Sequence, residues 1–473
     1  MTARTWVFML ARFIPAGLTL FTLYLYTNSV NPVEYGRYTN IISFASLIYP
    51  IIFGPIWYFI IRFRMENSDE VDQKCGVVSY FAVVTILILN CIIFLISLNS
   101  SLKELYTVGL MVLLFGIFQI SIEQKRAVDQ PSRYLFLAAT RSILILLISW
   151  LFISYDFSFL YNSIVDATIV GIGIAIAPNM VGLLRYYNLR KLQVTLREIY
   201  GYGIFFALGL TVNTGLFSAD RLMIYYLSGA SEAGLYSSPY DLAMKLIYTI
   251  VFALELSMLP ALLKASKAGL DLAEQFTLNI KTYLFIVLPI VVVLLALSSE
   301  ICKLYFSQDY YEAGKEIFPV ILVATFIIGF AHAIFYHAYI LNNKGKLYFL
   351  TISSVFLLNI ILNLISNLMG HPFFSSWIAI GTSIIYAFIT YFHASTMHRF
   401  YFPTLFFIKV LLLCSPIFLL YFYNPIINIF YLIAFKMIFA VVFYIGAVFI
   451  FNVFDGRARI HKIFNALKIA LKI

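Results

Sequence analysis

The sequence predicts an all-α integral membrane protein of about fourteen spanning helices, built as two six-helix lobes followed by two further helices. Three observations carry this prediction. First, 62% of the 473 residues are hydrophobic and only 11% are charged, with a mean hydropathy of +0.93. Soluble domains carry about 25% charged residues and about 45–50% apolar ones. Second, apolar runs of roughly the 20 residues needed to cross a bilayer recur along the chain. Strict alternation broken by turns about every ten residues is absent, which argues against a membrane β-barrel. Third, the basic residues between the runs are distributed asymmetrically, and a short motif recurs in two places.

Taken in order, the predicted spans lie near 6–27, 38–61, 76–98, 105–122, 134–154, 163–184, 200–227, 236–263, 280–298, 316–341, 347–369, 375–393, 403–423 and 426–452. The first follows Arg4 and runs from Trp6 to Tyr26. It exceeds the about 7–15 apolar residues of a signal-peptide core and ends without a small-residue cleavage site, so it reads as a retained helix. With a cytoplasmic N-terminus, the outer loops hold only Arg37, Lys103, Lys303 and Lys315 of the 32 basic residues. Arg12, Arg141, Arg221, Lys245, Lys409 and Lys436 fall within spans, and the rest lie on the cytoplasmic side. That is a strong positive-inside signal and places both termini in the cytoplasm. The net charge of +10 then reflects cytoplasmic loops, not nucleic-acid binding.

The expected organisation is a first lobe over 1–184, a basic cytoplasmic linker over 185–198, a second lobe over 199–394, two helices over 395–452 and a tail over 453–473. In the tail, Ile460, Ile463, Phe464, Leu467 and Leu471 form one helical stripe with Lys462, Lys468 and Lys472 beside it, the pattern of an amphipathic helix on a membrane surface. Cys75, Cys91, Cys302 and Cys414 are scattered without metal-ligand or disulfide spacing. No phosphate-binding Gly-rich loop occurs, and no loop collects a catalytic constellation. The sequence thus implies no cofactor, no metal and no enzymatic activity.

The repeat sets the symmetry. Asn31-Pro-Val-Glu-Tyr-Gly-Arg-Tyr38 and Gly229-Ala-Ser-Glu-Ala-Gly-Leu-Tyr236 share E-x-G-x-Y. Downstream, Leu47-Ile-Tyr-Pro-Ile-Ile-Phe-Gly54 parallels Leu246-Ile-Tyr-Thr-Ile-Val-Phe-Ala253 in a register kept to within one residue. Lobes of an even number of helices share one orientation, so the axis relating them runs along the membrane normal. Both E-x-G-x-Y stretches read as turns between spans.

Charges at membrane depth are costly and mark candidate functional positions. Arg12, Arg141, Arg221 and Lys245 are the cations; Asp220, Asp241 and Glu255 are the acids. Asp241 and Lys245 are four apart on one helical face and read either as an internal ion pair or as part of a site. Arg12 and Arg141 have no acid within a turn, which points to a water-filled cavity with excess positive charge. Such a cavity suits an anionic group, and the planar guanidinium fork suits phosphate. The three acids are candidates for ion coupling. His332 and His337 read first as hydrogen-bonded core residues, and Lys409 and Lys436 as snorkelling side chains.

The stretch Asp220-Arg-Leu-Met-Ile-Tyr-Tyr-Leu-Ser-Gly-Ala-Ser-Glu-Ala-Gly-Leu-Tyr236 resembles a signature of bacterial polysaccharide flippases. Pro32-Val-Glu-Tyr-Gly-Arg-Tyr38 is similar to their Gly-Pro-Glu-x-Phe/Tyr-Gly-x-Tyr motif, with Asn31 where Gly is usual. The resemblance implies an O-antigen (Wzx-type) flippase of the multidrug/oligosaccharidyl-lipid/polysaccharide exporter superfamily, with a MATE-like fold of two six-helix bundles around a cationic cavity. It implies an undecaprenyl-diphosphate-linked oligosaccharide as substrate, alternating access coupled to an ion gradient, a bacterial inner-membrane location, and contact with membrane lipid and the polysaccharide polymerase and chain-length machinery. Three alternatives stay open: a multidrug or toxin cation antiporter, a peptidoglycan lipid-precursor flippase, and a polysaccharide polymerase. The first would need an acid-rich cavity, and the last a large outer loop. The longest outer loop here, Ser299 to Lys315, is short.

Overall fold

A computed structural model describes residues 3–63, 68–97, 103–128, 130–183, 192–423 and 428–453. The described residues form helices and no strand. In chain order these are α1 (Ala3–Ser29), α2 (Pro32–Phe63), α3 (Ser68–Ser97), α4 (Lys103–Ala127), α5 (Pro131–Ser154), α6 (Ser163–Leu183), α7 (Leu192–Leu216), α8 (Ala219–Leu227) and α9 (Ala230–Lys267). There follow α10 (Leu272–Ala296), α11 (Ser298–Tyr305), α12 (Gln308–Phe330), α13 (Tyr336–Leu341), α14 (Gly345–Leu368), α15 (Ser375–His398), α16 (Thr404–Phe418) and α17 (Ile429–Ile450). A π-turn, Ala331–Phe335, joins α12 to α13. Among the described residues twelve stretches are long and apolar enough to cross a membrane, and a bent pair within α7 makes a thirteenth. The expected count of about fourteen exceeds this; α1, at 27 residues about 40 Å long, stands beside them. The proposed amphipathic tail and most of the basic linker lie outside the described residues.

Cap chemistry explains several helix starts. The Asn31 side chain accepts from Glu34 N at 2.9 Å while Pro32 occupies the first helical position, so only two residues separate α2 from α1. Asn162 caps α6 through Val165 N at 2.9 Å, and Asp271 caps α10 through Ala273 N at 2.8 Å. The expected single span over 200–227 is two helices. Phe217 N and Ser218 N bond back to the Thr214 and Gly215 carbonyls, closing α7 with tightened turns before α8 begins.

The E-x-G-x-Y stretches are not turns. Glu34, Gly36 and Tyr38 lie in the first turns of α2, and Glu232, Gly234 and Tyr236 in those of α9. Their glycines meet each other. A Cβ on Gly36 would run into the Ala230 carbonyl and reach within 3.0 Å of Gly234 N; one on Gly234 would run into the Pro32 carbonyl and reach within 3.0 Å of Gly36 N. The reciprocity means that α2 and α9 cross backbone to backbone, about an axis relating the two motifs. Further along, α2 lies equally close to α7, where Gly203 faces the Pro55 backbone and Tyr200 Oη donates to Ile52 O at 2.6 Å.

Three apolar cores result. One is built from α1–α6 with Ile199 of α7. A second is built from α7–α15 and takes in Leu23, Tyr26, Val30 and Tyr35, where α1 and α2 meet α9. The third fastens α16 and α17 onto Leu288 and Val292 of α10. Lys436 of α17 does not snorkel. It forms a buried ion pair with Glu300 of α11, the two side chains 1% and 5% exposed.

Two outcomes test this packing. Gly36→Ala or Gly234→Ala should lower the melting temperature in detergent, since overpacking costs about 1–3 kcal/mol. Gly17→Ala, with nothing within 4 Å of its added carbon, should leave it unchanged or raise it. Lys436→Met should cost about 3–5 kcal/mol by stranding Glu300, and adding Glu300→Leu should recover most of that loss.

Candidate functional site

The four predicted cations surround two neighbouring cavities. The first, about 230 Å³, is lined by α1, α2, α5 and α6 on one side and by Arg221 of α8 and Asp241 and Lys245 of α9 on the other. Hydroxyls of Thr19, Thr22, Tyr35 and Tyr38 belong to residues that face it. The second, about 200 Å³, is lined by Arg12 of α1, Gln119 and Glu123 of α4, and Tyr134 of α5. Arg141 of α5 is a wall of both.

Within the first cavity the charges are partly tied down. Arg221 Nη2 lies 2.8 Å from Asp241 Oδ1, and its guanidinium sits 4.3 Å over the Tyr240 ring. Tyr35 Oη donates to Asp241 Oδ2 at 2.7 Å, joining α2 to α9. Asp241 therefore pairs with Arg221 of the neighbouring helix, and the internal i, i+4 pair with Lys245, one of the two readings the sequence left open, is not the contact that forms. Among the described residues Lys245 makes no ion pair.

Arg141 is more exceptional. Its guanidinium rests 4.2 Å over the Phe118 ring, and its buried Nε has no hydrogen-bond partner. Arg12 lies 5.6 Å over both Tyr134 and Phe252. Such contacts contribute about 0.5–2 kcal/mol, well short of replacing a counter-charge at depth. The cavities thus present Arg12, Arg141, Arg221 and Lys245 against Asp241 and Glu123. Glu123 is already engaged: it accepts from Gln119 Nε2 at 3.1 Å and pairs with Arg126 at 3.5 Å.

The structure separates the three acids. Asp220, 2% exposed, accepts from Tyr236 Oη at 2.7 Å and from Arg221 N at 2.8 Å; it fixes the start of α8 against α9 and lines neither cavity. Asp241 lines the first cavity. Glu255 lies apart, beside His332 and His337. No group of three His, Cys, Asp or Glu among the described residues could hold a metal ion. Sequence reasoning did not single out Tyr35, Tyr38 or Glu123, although the repeated E-x-G-x-Y carried the signal for the first two. It also passed over Glu104, which accepts from Tyr161 Oη at 2.5 Å and from Tyr225 Oη of α8 at 3.0 Å. Burial and that carboxylate push the Tyr161 phenol well above its ordinary range.

Helices long and apolar enough to span a membrane, wrapped around buried cationic cavities, define a multi-pass membrane protein with a transporter fold. A family model described as "Polysaccharide biosynthesis protein" matches residues 30–315, and the chain belongs to that family. Among solved structures it is similar to a lipid II flippase MurJ in an inward closed conformation, with 18% identity, a TM-score of 0.67, and 94% of this chain and 98% of that chain covered. It is also similar to an inward-facing multidrug resistance MATE transporter of the MOP superfamily, with 15% identity, a TM-score of 0.54, and 84% and 96% covered. A third is a MOP superfamily transporter from Pyrococcus furiosus with a binding pocket of reverse polarity, with 13% identity, a TM-score of 0.54, and 84% and 95% covered. A search of curated proteins finds no match.

The Arg221–Asp241 pair yields a prediction. Asp241→Asn leaves a largely buried guanidinium without its counter-charge and should destabilise the protein by about 3–5 kcal/mol, against about 1 kcal/mol for Tyr35→Phe. Inorganic diphosphate should raise the melting temperature of the Asp241→Asn variant more than that of the parent.

Proposed function

We propose that this protein is a flippase that carries an undecaprenyl-diphosphate-linked oligosaccharide, an O-antigen or similar repeat unit, across the bacterial inner membrane by alternating access. The observation that carries the reading is the excess of buried cations in a member of a polysaccharide biosynthesis family, above all Arg141, shared by both cavities with no ion-pair partner among the described residues. Arg141, Arg221, Lys245 and Arg12 bind the diphosphate and any acidic sugar; tyrosines along the first cavity contact sugar rings. Bidentate guanidinium–phosphate bonds inside a low-dielectric site supply the specificity. The basic loops orient the chain with both termini cytoplasmic, which puts the Gly36–Gly234 crossing at the outer side. The two lobes rock about that crossing. The product is released where polymerase and chain-length machinery would take it up.

A cation antiporter of the same fold is disfavoured by the sign of the cavity. A peptidoglycan lipid-precursor flippase is the second reading, favoured by the higher TM-score against the lipid II flippase. It shares the diphosphate chemistry and differs in the sugar. Expression in a strain lacking its O-unit flippase, and separately in one lacking its lipid II flippase, separates the two: rescue of surface polysaccharide in the first strain only is expected. Arg141→Ala should abolish that rescue at normal protein levels, and Arg141→Lys should restore part of it. Losing a bidentate charge-assisted contact of about 1.5–3 kcal/mol weakens binding about 10- to 100-fold. Full surface polysaccharide with Arg141→Ala would remove Arg141 from the site.

A further inference from the structure

Glu255 of α9, His332 of the π-turn and His337 of α13 form a second polar cluster that lines neither cationic cavity. Glu255 Oε1 lies 3.8 Å from His337 Nε2, and Oε2 lies 4.0 Å from His332 Nδ1. Both distances are just beyond a hydrogen bond. His337 is fully buried, yet neither of its ring nitrogens has a hydrogen-bond partner, and His332 Nδ1 is likewise unpartnered. Buried polar atoms are rarely left this way, and each costs about 1–3 kcal/mol. Two of these nitrogens, His337 Nε2 and His332 Nδ1, face the same carboxylate, one toward each oxygen.

The donor set says what this cluster suits. One carboxylate and two imidazoles are a poor cage for a hard alkali cation, which takes several oxygen ligands. The three groups do not converge as a metal site. Carboxylate and imidazole together do suit a proton, because imidazole titrates in the physiological range. We propose that Glu255, His332 and His337 form the proton-binding site of this protein and that it exchanges a proton for its lipid-linked cargo. The inference rests on the flippase reading and names the coupling ion.

The step is a single proton transfer. A proton from the outer medium binds between Glu255 Oε1 and His337 Nε2, and the gap closes to a charge-assisted hydrogen bond of about 2.7–2.9 Å. Release to the cytoplasm restores the carboxylate and neutral imidazole. Only an N–H or O–H bond forms or breaks. Glu255 is 22% exposed. The other titratable groups facing the cluster are Tyr58 of α2, Arg126 of α4 with its partner Glu123, Tyr248 of α9, and Tyr336 of α13, behind which lie Tyr348 and Tyr386.

The same geometry couples proton binding to the halves of the molecule. Tyr336 stacks on His332 with ring centroids 4.9 Å apart and reaches Tyr58 on α2. A π-turn interrupts the regular helical ladder at a point where such segments commonly serve function. Drawing His337 toward Glu255 by about 1 Å, the difference between the observed gap and a hydrogen bond, moves the helix that carries Tyr336 against α2.

The test uses the purified full chain in proteoliposomes loaded with a pH-sensitive dye, with undecaprenyl diphosphate as cargo. The parent should show cargo-evoked proton movement. Glu255→Gln and His337→Asn should each reduce it at least tenfold while undecaprenyl diphosphate affinity stays within twofold. Glu255→Asp, which shortens the carboxylate arm, should keep the flux with a displaced pH profile. Parent-like flux in Glu255→Gln, an unchanged profile in Glu255→Asp, or flux driven by sodium and indifferent to a pH gradient would overturn the proposal. Failure of the parent to bind undecaprenyl diphosphate would sink the flippase reading instead, and this inference with it.

Discussion

At Gly36 and Gly234 the backbones of α2 and α9 touch with no side chain between them, and much of the site's geometry follows from that contact. Asn31 with Pro32 starts one helix, and Gly229, held at φ 104°, starts the other, so both begin at the same level. Residues in the first turns of α2 then face residues two to three turns into α9. Tyr35 precedes Gly36 and donates across the join to Asp241 at 2.7 Å. One added carbon at the crossing would drive the backbones apart by more than that hydrogen bond tolerates. The helix contact and the polar tie are therefore one constraint, and Arg221 is anchored through it by the second oxygen of Asp241.

Electrostatics divides the cations into two kinds. Arg221 has Asp241 and the face of Tyr240, so its charge is largely compensated inside the fold. Among the described residues Arg141 has the face of Phe118 and no ion pair, and its Nε, like that of Arg221, has no hydrogen-bond partner. Leaving a guanidinium in that condition costs stability that a Leu or Met at the same place would not. The Glu300–Lys436 pair shows the other solution, in which a cation carried into the bundle is met by an acid on another helix. Among the described residues Arg141 has no such acid, and two cavities open beside it.

The helical class, the transporter fold and the E-x-G-x-Y repeat were legible because hydropathy, length and periodicity are local properties, readable without knowing what packs where. Features that depend on a distant partner were not. A glycine flanked by Glu and Tyr reads as a turn, since flexibility is its commonest use. In α2 and α9 it serves close approach inside a helix, which only the second glycine reveals. Lys436 reads as a snorkelling residue because Glu300 is far along the chain. Glu123 was missed because it sits just past a span boundary drawn on hydropathy, whereas α4 runs on to Ala127 and turns Glu123 inward, 5% exposed. The seven charged candidates were visible as costly residues at depth. Their grouping was not: four cations and Asp241 line the cavities, Asp220 secures a helix start, and Glu255 belongs to a separate cluster.

The symmetric and asymmetric residues of the repeat divide the work. At the axis the two halves share a glycine and a tyrosine, Gly36 with Gly234 and Tyr38 with Tyr236. Their tyrosines already differ in task, since Tyr38 lines the first cavity whereas Tyr236 is buried and donates to Asp220. Charge then breaks the symmetry completely. Asp220, Arg221, Asp241 and Lys245 belong to the second copy, where the first has only uncharged residues, Leu23 and Ser46 among them. In the first cavity the second-lobe wall carries Arg221, Asp241 and Lys245, and the wall opposite is apolar and hydroxylated except for Arg141. Because Asp241 ties α9 to α2 through Tyr35 and holds Arg221 with its other oxygen, an anion that recruits Arg221 competes for the group that helps keep the two helices together. Under the proposed function, binding and the crossing at Gly36 and Gly234 would be linked through a single carboxylate.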